Sequence, residues 1–199
     1  MAGVSTTTAP PTTTSTTAPT TTPATTPTRS PAPSRPDDEA RLAGLVRLAA
    51  LVACVPTAVV NLFVGEWQCP AFAAGFTPSD TALAESMCWT ATGEDAGRTL
   101  HHVPDASLDP RFARNPWVDG RRASVRFYAS VPLRSGNGRL VGTLCVFDET
   151  PGHLAPQQRA ALLDLALSIG ALVEHREYAA QWERLGEEAD AERVLVPRG

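Results

Sequence analysis

From Asp37 onward the apolar residues keep two rhythms. Leu42, Leu45, Val46, Ala49, Val52 and Ala53 recur at helical spacing behind Asp37, Asp38 and Glu39, which stand where a helix N-terminus favours negative charge. Before Pro56 the period changes, and "TAVVNLFVG" (Thr57 to Gly65) predicts a strand that is β-branched and apolar on both faces. "EWQCPAFAAG" predicts its partner across a short turn at Gly65, with Pro70 confining it to an edge or a bulge. "SDTALAESMCWTAT" predicts a short helix capped by Ser79 or Asp80, with Leu83, Met87 and Thr90 or Ala91 on one side and an end near Gly93. Arg98 to Val103 predicts a third strand.

"SVRFYASVPL" and "RLVGTLCVFD" predict two strands joined through "RSGNG", where Gly136, Asn137 and Gly138 can supply the positive φ of a tight hairpin. Alternation in the second strand sends Leu140, Leu144 and Val146 one way and Val141, Thr143, Cys145 and Phe147 the other, so both sheet faces are covered. A last helix starts near Pro156 and carries a stripe of Leu162, Leu165, Ala166, Ile169, Leu172 and Val173. Beyond Glu174 the stripe thins to Tyr178, Trp182 and Leu185, which predicts a projecting helix able to pair with a second copy. The final "LVPRG" (195–199) matches the thrombin site of expression tags and is set aside.

Composition separates the tail from the domain. Residues 1–36 are almost entirely Thr, Pro, Ala and Ser, too poor in apolar surface to offset chain entropy, and are expected to be disordered. The expected division is therefore a tail over 1–36, a domain over 37–178 and a helical extension over 179–199. No h-region and no long apolar run is visible, which points to a cytoplasmic protein without a membrane partner; a glycosylated stalk would require a start upstream of Met1. All 17 basic residues are Arg, a codon signature of a GC-rich genome, and the net charge of −4 argues against nucleic acid. Cys54, Cys69, Cys88 and Cys145 show no zinc spacing, so no metal is expected; Cys54 and Cys145 lie in apolar runs and read as buried thiols.

The stretch "VPDASLDPRFARNPWVDG" (Val103 to Gly120) is too polar for core and too aromatic for a plain connection. Asp109 before Pro110, and Asn115 before Pro116, predict capped helical turns, so the aspartates need no catalytic role. Phe112 and Trp117 then anchor either a lid over a ligand or a satellite core. Sheet alternation groups Val59, Asn61 and Phe63, then Arg126, Tyr128 and Ser130, then Thr143, Cys145 and Phe147; a one-residue slip reverses each set, and either face remains open as the pocket face. His101 and His102 are adjacent in a strand and so point apart, against joint metal ligation, while His153 and His175 read as structural. "GNGRLVG" has the wrong glycine spacing and context for a dinucleotide loop, and no Walker or G-x-S-x-G motif occurs.

Helix, two strands, helix, strand, irregular segment, hairpin and long helix make an α+β order with a mostly antiparallel sheet. The run "HVPDASLDPRFARNP", then "VRFYASVPL", "GRLVGTLCVFD" and the helix after "APQQRAAL" closely resembles bacterial GAF domains of the actinobacterial signalling type, over Asp37 to about Tyr178. The resemblance implies a GAF/PAS-like sheet of about five to six strands, N- and C-terminal helices packed on one face, and a small-molecule pocket on the other. Members with this signature commonly carry a Cys followed two residues later by His; here Cys88 is followed by Trp89 and Thr90, and the Cys-His attachment dipeptide of bilin-binding relatives is also missing. Asn61, Cys88, Phe112, Trp117, Tyr128, Thr143 and Cys145 form the candidate ligand-binding set, with no catalytic residue and no cofactor. The expected function is a non-enzymatic sensor that reports an unknown small molecule through its terminal helices to a dimer mate or a signalling partner. The alternative is a thiol enzyme of the free methionine sulfoxide reductase type using Cys69 and Cys88.

Overall fold

The structure, a computed structural model, describes residues 36–94 and 99–195, with side chains placed for 37–93 and 99–176. Helix α1 (Pro36–Ala53) leads into strands β1 (Thr57–Val64) and β2 (Trp67–Ala74). A short β3 (Thr81–Ala82) and a 3-10 turn (Leu83–Glu85) precede helix α2 (Met87–Glu94); β4 (His101–Val103), β5 (Phe127–Arg134), β6 (Leu140–Asp148) and α3 (Pro156–Leu195) complete the order. The six strands form one sheet in the order β3-β2-β1-β6-β5-β4, and every pairing is antiparallel. This is the α+β architecture that the order of elements implies. The tail over 1–35, Arg98 and the residues after Leu195 lie outside the described residues, as do the side chains of Tyr178, Trp182 and Leu185. Among the described residues no helix is long and apolar enough to cross a membrane.

Alternation in β1, β5 and β6 gives the sheet two unlike faces. One carries Ala58, Val60, Phe127, Ala129, Val131, Leu144 and Val146 against Leu42, Val46 and Ala49 of α1 and Leu162, Ala166, Ile169 and Val173 of α3. The branched aliphatics suit a pleated surface, and the two helices seal it. The other face carries Val59, Tyr128 and Cys145 against α2 and the long segment after β4. The candidate site belongs to this second face.

Three local readings change and one, at Pro70, holds. The helix expected from Ser79 or Asp80 starts later, because Thr81 and Ala82 pair with Gln68 and Trp67 as an edge strand; Ser86 is the cap, its Oγ accepting the Trp89 N–H at 3.0 Å. Val141 turns to the helix face beside Leu144, because a bulge opposite Leu133 and Arg134 resets the alternation. In the hairpin only Gly138 has positive φ (82°); Asn137 instead accepts from Ser135 Oγ and the Arg139 N–H through its side chain. Pro70 behaves as expected, since the β1–β2 register shifts between Val60 and Asn61, next to it.

Cys54 is exposed, not buried. It follows the last turn of α1 at φ 56°, and its N–H reaches Leu51 O (3.1 Å) while the Val55 N–H reaches Ala50 O (3.1 Å), the paired bonds of a Schellman C-cap. A left-handed non-glycine residue costs about 1–2 kcal/mol, so Cys54→Gly is expected to raise stability by about 0.5–1 kcal/mol after the glycine's extra entropy loss. A lower urea midpoint for the variant would mean that the Gln158 Nε2 contact with Cys54 Sγ (3.6 Å) outweighs the backbone strain.

His102 faces the helix side, where its Nε2 accepts the Leu154 N–H at 3.1 Å and its ring lies 5.6 Å from that of His153. Burial, then the charges of Arg159 and His153, hold its pKa below the ordinary value. Below about pH 6.5 the unfolded chain therefore takes up a proton that the folded chain resists, and stability falls as pH drops through that range. His102→Gln, which keeps an acceptor, is expected to flatten the decline of melting temperature between about pH 7 and 5.5. An unchanged slope would assign the decline to other groups.

Candidate functional site

The floor of the site is the second face of the three central strands. Asn61 of β1 stands opposite Thr143 of β6, Val59 opposite Cys145, and Cys145 in turn opposite Ser130 of β5. All four polar or sulfur side chains are buried, with Tyr128 beside them. Such a row is unusual in a core, and three of its hydroxyls, on Tyr128, Ser130 and Thr143, find no partner in good hydrogen-bond geometry within the protein, only looser contacts with the two sulfurs and one another. A buried hydroxyl without a partner costs about 1–3 kcal/mol, a cost that a bound polar molecule or water removes.

Helix α2 supplies the wall. Ser86 caps it and is itself hydrogen-bonded to Gln68 Oε1 of β2, which ties the helix start to the sheet. Cys88 is thereby set in the first turn, facing Cys145 with the sulfurs 3.5 Å apart. Asn61 Nδ2 donates to both, at 3.3 Å to Cys145 Sγ and 3.6 Å to Cys88 Sγ.

The cover is the segment between β4 and β5, built from side-chain-capped turns. The carboxylates of Asp105, Asp109 and Asp119 accept the N–H groups of Ser107, Arg111 and Arg121, and Asn115 Oδ1 accepts that of Trp117, all at 2.9–3.1 Å. The capping role expected of Asp109 and Asn115 holds, although each segment closes as turns and not as a regular helix. Arg111 pairs with Asp109 at 2.6 Å and lowers its pKa, chiefly by that hydrogen bond. Two links dock the cover on the turn before α2: Asn115 Nδ2 donates to Glu85 O (3.0 Å), and Arg122 Nη2 donates to Glu85 Oε2 (2.8 Å); within the cover, Arg126 Nη1 donates to Val118 O (3.0 Å). Phe112 is fully buried, its ring 5.9 Å from that of Tyr128.

Between floor, wall and cover lie two adjoining cavities. The inner one, about 40 Å³, is lined by Asn61, Gln68, Cys88, Tyr128 and Cys145 together with Val59, Met87 and Val125. It has room for about one molecule of water size. The outer one, about 580 Å³, is of small-molecule size and reaches Arg122, Asp148 and Glu149. Phe76, Ser79, Trp117 and Phe147 line both and form the neck between them; the Phe76 and Phe147 rings meet edge-on at 5.4 Å.

Electrostatically the inner cavity is neutral: no charged side chain lines it. Arg122, in the outer cavity, is already paired with Glu85 at 2.8 Å and stands over the Trp117 ring. The sulfurs ionise unequally. A hydrogen bond from Cys145, helped by Thr143, Tyr128 and Asn61, outweighs burial and lowers Cys88 from the usual thiol range to about 7. The same contact and burial push Cys145 up, and burial with the two sulfur charges pushes Tyr128 up. Among the described residues no three His, Cys, Asp or Glu side chains stand together as a metal site.

Of the candidate residues, Asn61, Cys88, Trp117, Tyr128 and Cys145 line the inner cavity, while Phe112 and Thr143 are buried behind it. Cys69 alternates away from Gln68 and Pro70, which line the cavity, so the strand does not bring it to Cys88; burial and Asp80 raise its pKa. Gln68, Phe76, Ser79 and Met87 are site residues that sequence pattern missed. Gln68 and Met87 had a signal available, the first by alternation from Pro70 and the second by preceding Cys88.

Residues 37–173 match the family model described as "GAF domain". A curated relative, a cyclic di-GMP phosphodiesterase of Pseudomonas aeruginosa, is 34% identical over 119 residues; these are 59% of this chain and only 20% of that protein. Among solved structures, the GAF domain of a phosphoenolpyruvate-protein phosphotransferase from Coxiella burnetii is similar at a TM-score of 0.61 and 15% identity, covering 74% of this chain and 89% of that one. A free methionine-R-sulfoxide reductase from Neisseria meningitidis, solved with its substrate, is similar at 0.54 and 19% identity, covering 74% and 81%. These structural likenesses show a shared fold.

Asn115 carries the docking of the cover. Asn115→Ala removes both the turn cap and the bond to Glu85 O and is expected to cost about 1–3 kcal/mol. Hydrogen exchange should quicken in residues 112–125 and stay unchanged in α1. Unaltered exchange in the cover would show that the Arg122–Glu85 pair and the buried Phe112 suffice to anchor it.

Proposed function

Because the chain belongs to the GAF domain family, we propose that it is a non-enzymatic sensor for an uncharged small molecule held between the sheet and the capped segment. The observation that carries this reading is the row of buried, poorly satisfied hydroxyls on Tyr128, Ser130 and Thr143 beside aromatic rings that also line a chamber of about 580 Å³. Aromatic walls with few polar groups suit a ligand that is flat or apolar at one end and hydrogen-bonding at the other. In this reading the ligand lodges in the outer chamber, which is the larger of the two cavities, and presses its polar end inward past Phe76, Trp117 and Phe147.

The nucleotide in the name of the Pseudomonas relative is a weaker guide. Two phosphates call for cationic partners, and Arg122 is engaged by Glu85 next to Asp148 and Glu149. Output is assigned to the terminal helices: α1 and α3 pack together on the far face, and Leu48, Leu51 and Leu167 remain exposed there for a dimer mate or a signalling partner.

Mass spectrometry of small molecules released from the purified protein, followed by thermal shift with the compounds found, tests the reading. An uncharged compound is expected to raise the melting temperature and slow hydrogen exchange over residues 103–120, and Tyr128→Phe should weaken its binding about tenfold. Stabilisation by cyclic di-GMP or other anions alone, or binding that leaves helix pairing unchanged at saturation, would refute the proposal.

A further inference from the structure

The floor of the inner cavity has a property that small-molecule sensing does not use. Two cysteines from distant parts of the chain, one on α2 and one in mid-strand on β6, place their sulfurs 3.5 Å apart with Asn61 Nδ2 bonded to both. Both are buried, yet both line the inner cavity, which shares Phe76, Ser79, Trp117 and Phe147 with the outer chamber. A cavity of about 40 Å³ admits a molecule the size of water or hydrogen peroxide and excludes a peptide disulfide. Cys54 is exposed and Cys69 turns to the other face, so neither competes for the same contact.

We propose that Cys88 and Cys145 are a peroxide-oxidisable pair, forming an intramolecular disulfide when hydrogen peroxide reaches the inner cavity. Cys88 attacks as thiolate: its sulfur bonds to one peroxide oxygen, the O–O bond breaks, and the departing oxygen takes up the proton that Cys88 released and leaves as water. Cys145 sulfur then attacks the sulfenic sulfur of Cys88; the S–S bond forms, the S–O bond breaks, and the hydroxyl leaves with the Cys145 proton as a second water. The two thiols lose two electrons and one peroxide becomes two waters. Asn61 holds both sulfurs in place and stabilises the attacking charge. The roles are unequal because a thiolate at Cys88 is supported by a hydrogen bond from Cys145. The bond joins α2 to β6, so oxidation fixes the wall of the chamber to its floor.

The test uses the full chain, treated with hydrogen peroxide or oxidised glutathione, acid-quenched, unfolded, alkylated and mapped by mass spectrometry. With peroxide, the peptides containing Cys88 and Cys145 should become linked within a monomer, with two of the four thiols lost and both restored by dithiothreitol. The rate should rise with pH through about 7, and oxidised glutathione should be at least about tenfold slower than peroxide. In Cys145→Ser, Cys88 should accumulate as a sulfenic acid trapped by dimedone, whereas Cys88→Ser should leave Cys145 reduced. Free Cys88 and Cys145 in folded protein after Cys54 or Cys69 has oxidised would overturn the proposal, as would equal rates for the two oxidants. If either variant fails to fold, the wild-type peptide map decides alone. A failure here leaves the sensing of an uncharged metabolite untouched, since that reading is judged by binding.

Discussion

The pairing of β1 with β6 governs which chemistry each side of the sheet receives. Asn61 opposite Thr143 and Val59 opposite Cys145 fix the register at the centre, and Gly142 locks it from the backbone. A Cβ at Gly142 would stand 2.0 Å from Asn61 O, so only glycine lets the two strands approach there. Because the side-chain period is two, a slip of one residue would drive Asn61 and Cys145 under the helices and turn Val60 and Val146 toward the loop. The aliphatic demand of α1 and α3 therefore protects a polar row on the opposite face. Helix packing is, in this sense, what holds the sulfurs and hydroxyls in place.

The cover follows a different rule. Its apolar anchors are Ala106, Phe112, Trp117, Val118 and Val125, and the rest of its order comes from side chains bonding to nearby backbone. Its fixed points are specific: Phe112 in the core, and Asn115 and Arg122 on Glu85. Trp117 sits between those points, half-buried, with an aromatic face shared by both cavities.

Legibility in the sequence tracked the range of the forces involved. The α1 and α3 stripes, the two long hairpins and the caps at Asp109 and Asn115 are local patterns, and they read correctly because period and capping need no distant partner. Val141 was misplaced because a bulge across the hairpin changes the count, and Cys54 because a C-cap can seat a non-glycine residue in a left-handed turn. The start of α2 was misplaced because Thr81 and Ala82 gain more by pairing with β2 than by extending a helix. The choice of pocket face was open to alternation alone, and the long-range register decided it. The contact between Cys88 and Cys145 is of that kind: fifty-seven residues separate them, and neither local sequence contains a sign of the other.

Two cavities of unlike size make the site selective in two ways. In the proposed sensor the outer chamber would discriminate by shape and polarity among molecules of metabolite size, while the inner one, about 40 Å³, would discriminate by size. Both are reached past the same rings of Phe76, Trp117 and Phe147. If the two proposals hold together, a ligand lodged against those rings would bar access to the sulfurs, and by linkage oxidation of the pair would alter ligand affinity. The only ionisable groups of the inner lining are Cys88, Cys145 and Tyr128, and of these only Cys88 is lowered toward neutrality, so the single charge that the lining can carry there is the thiolate itself.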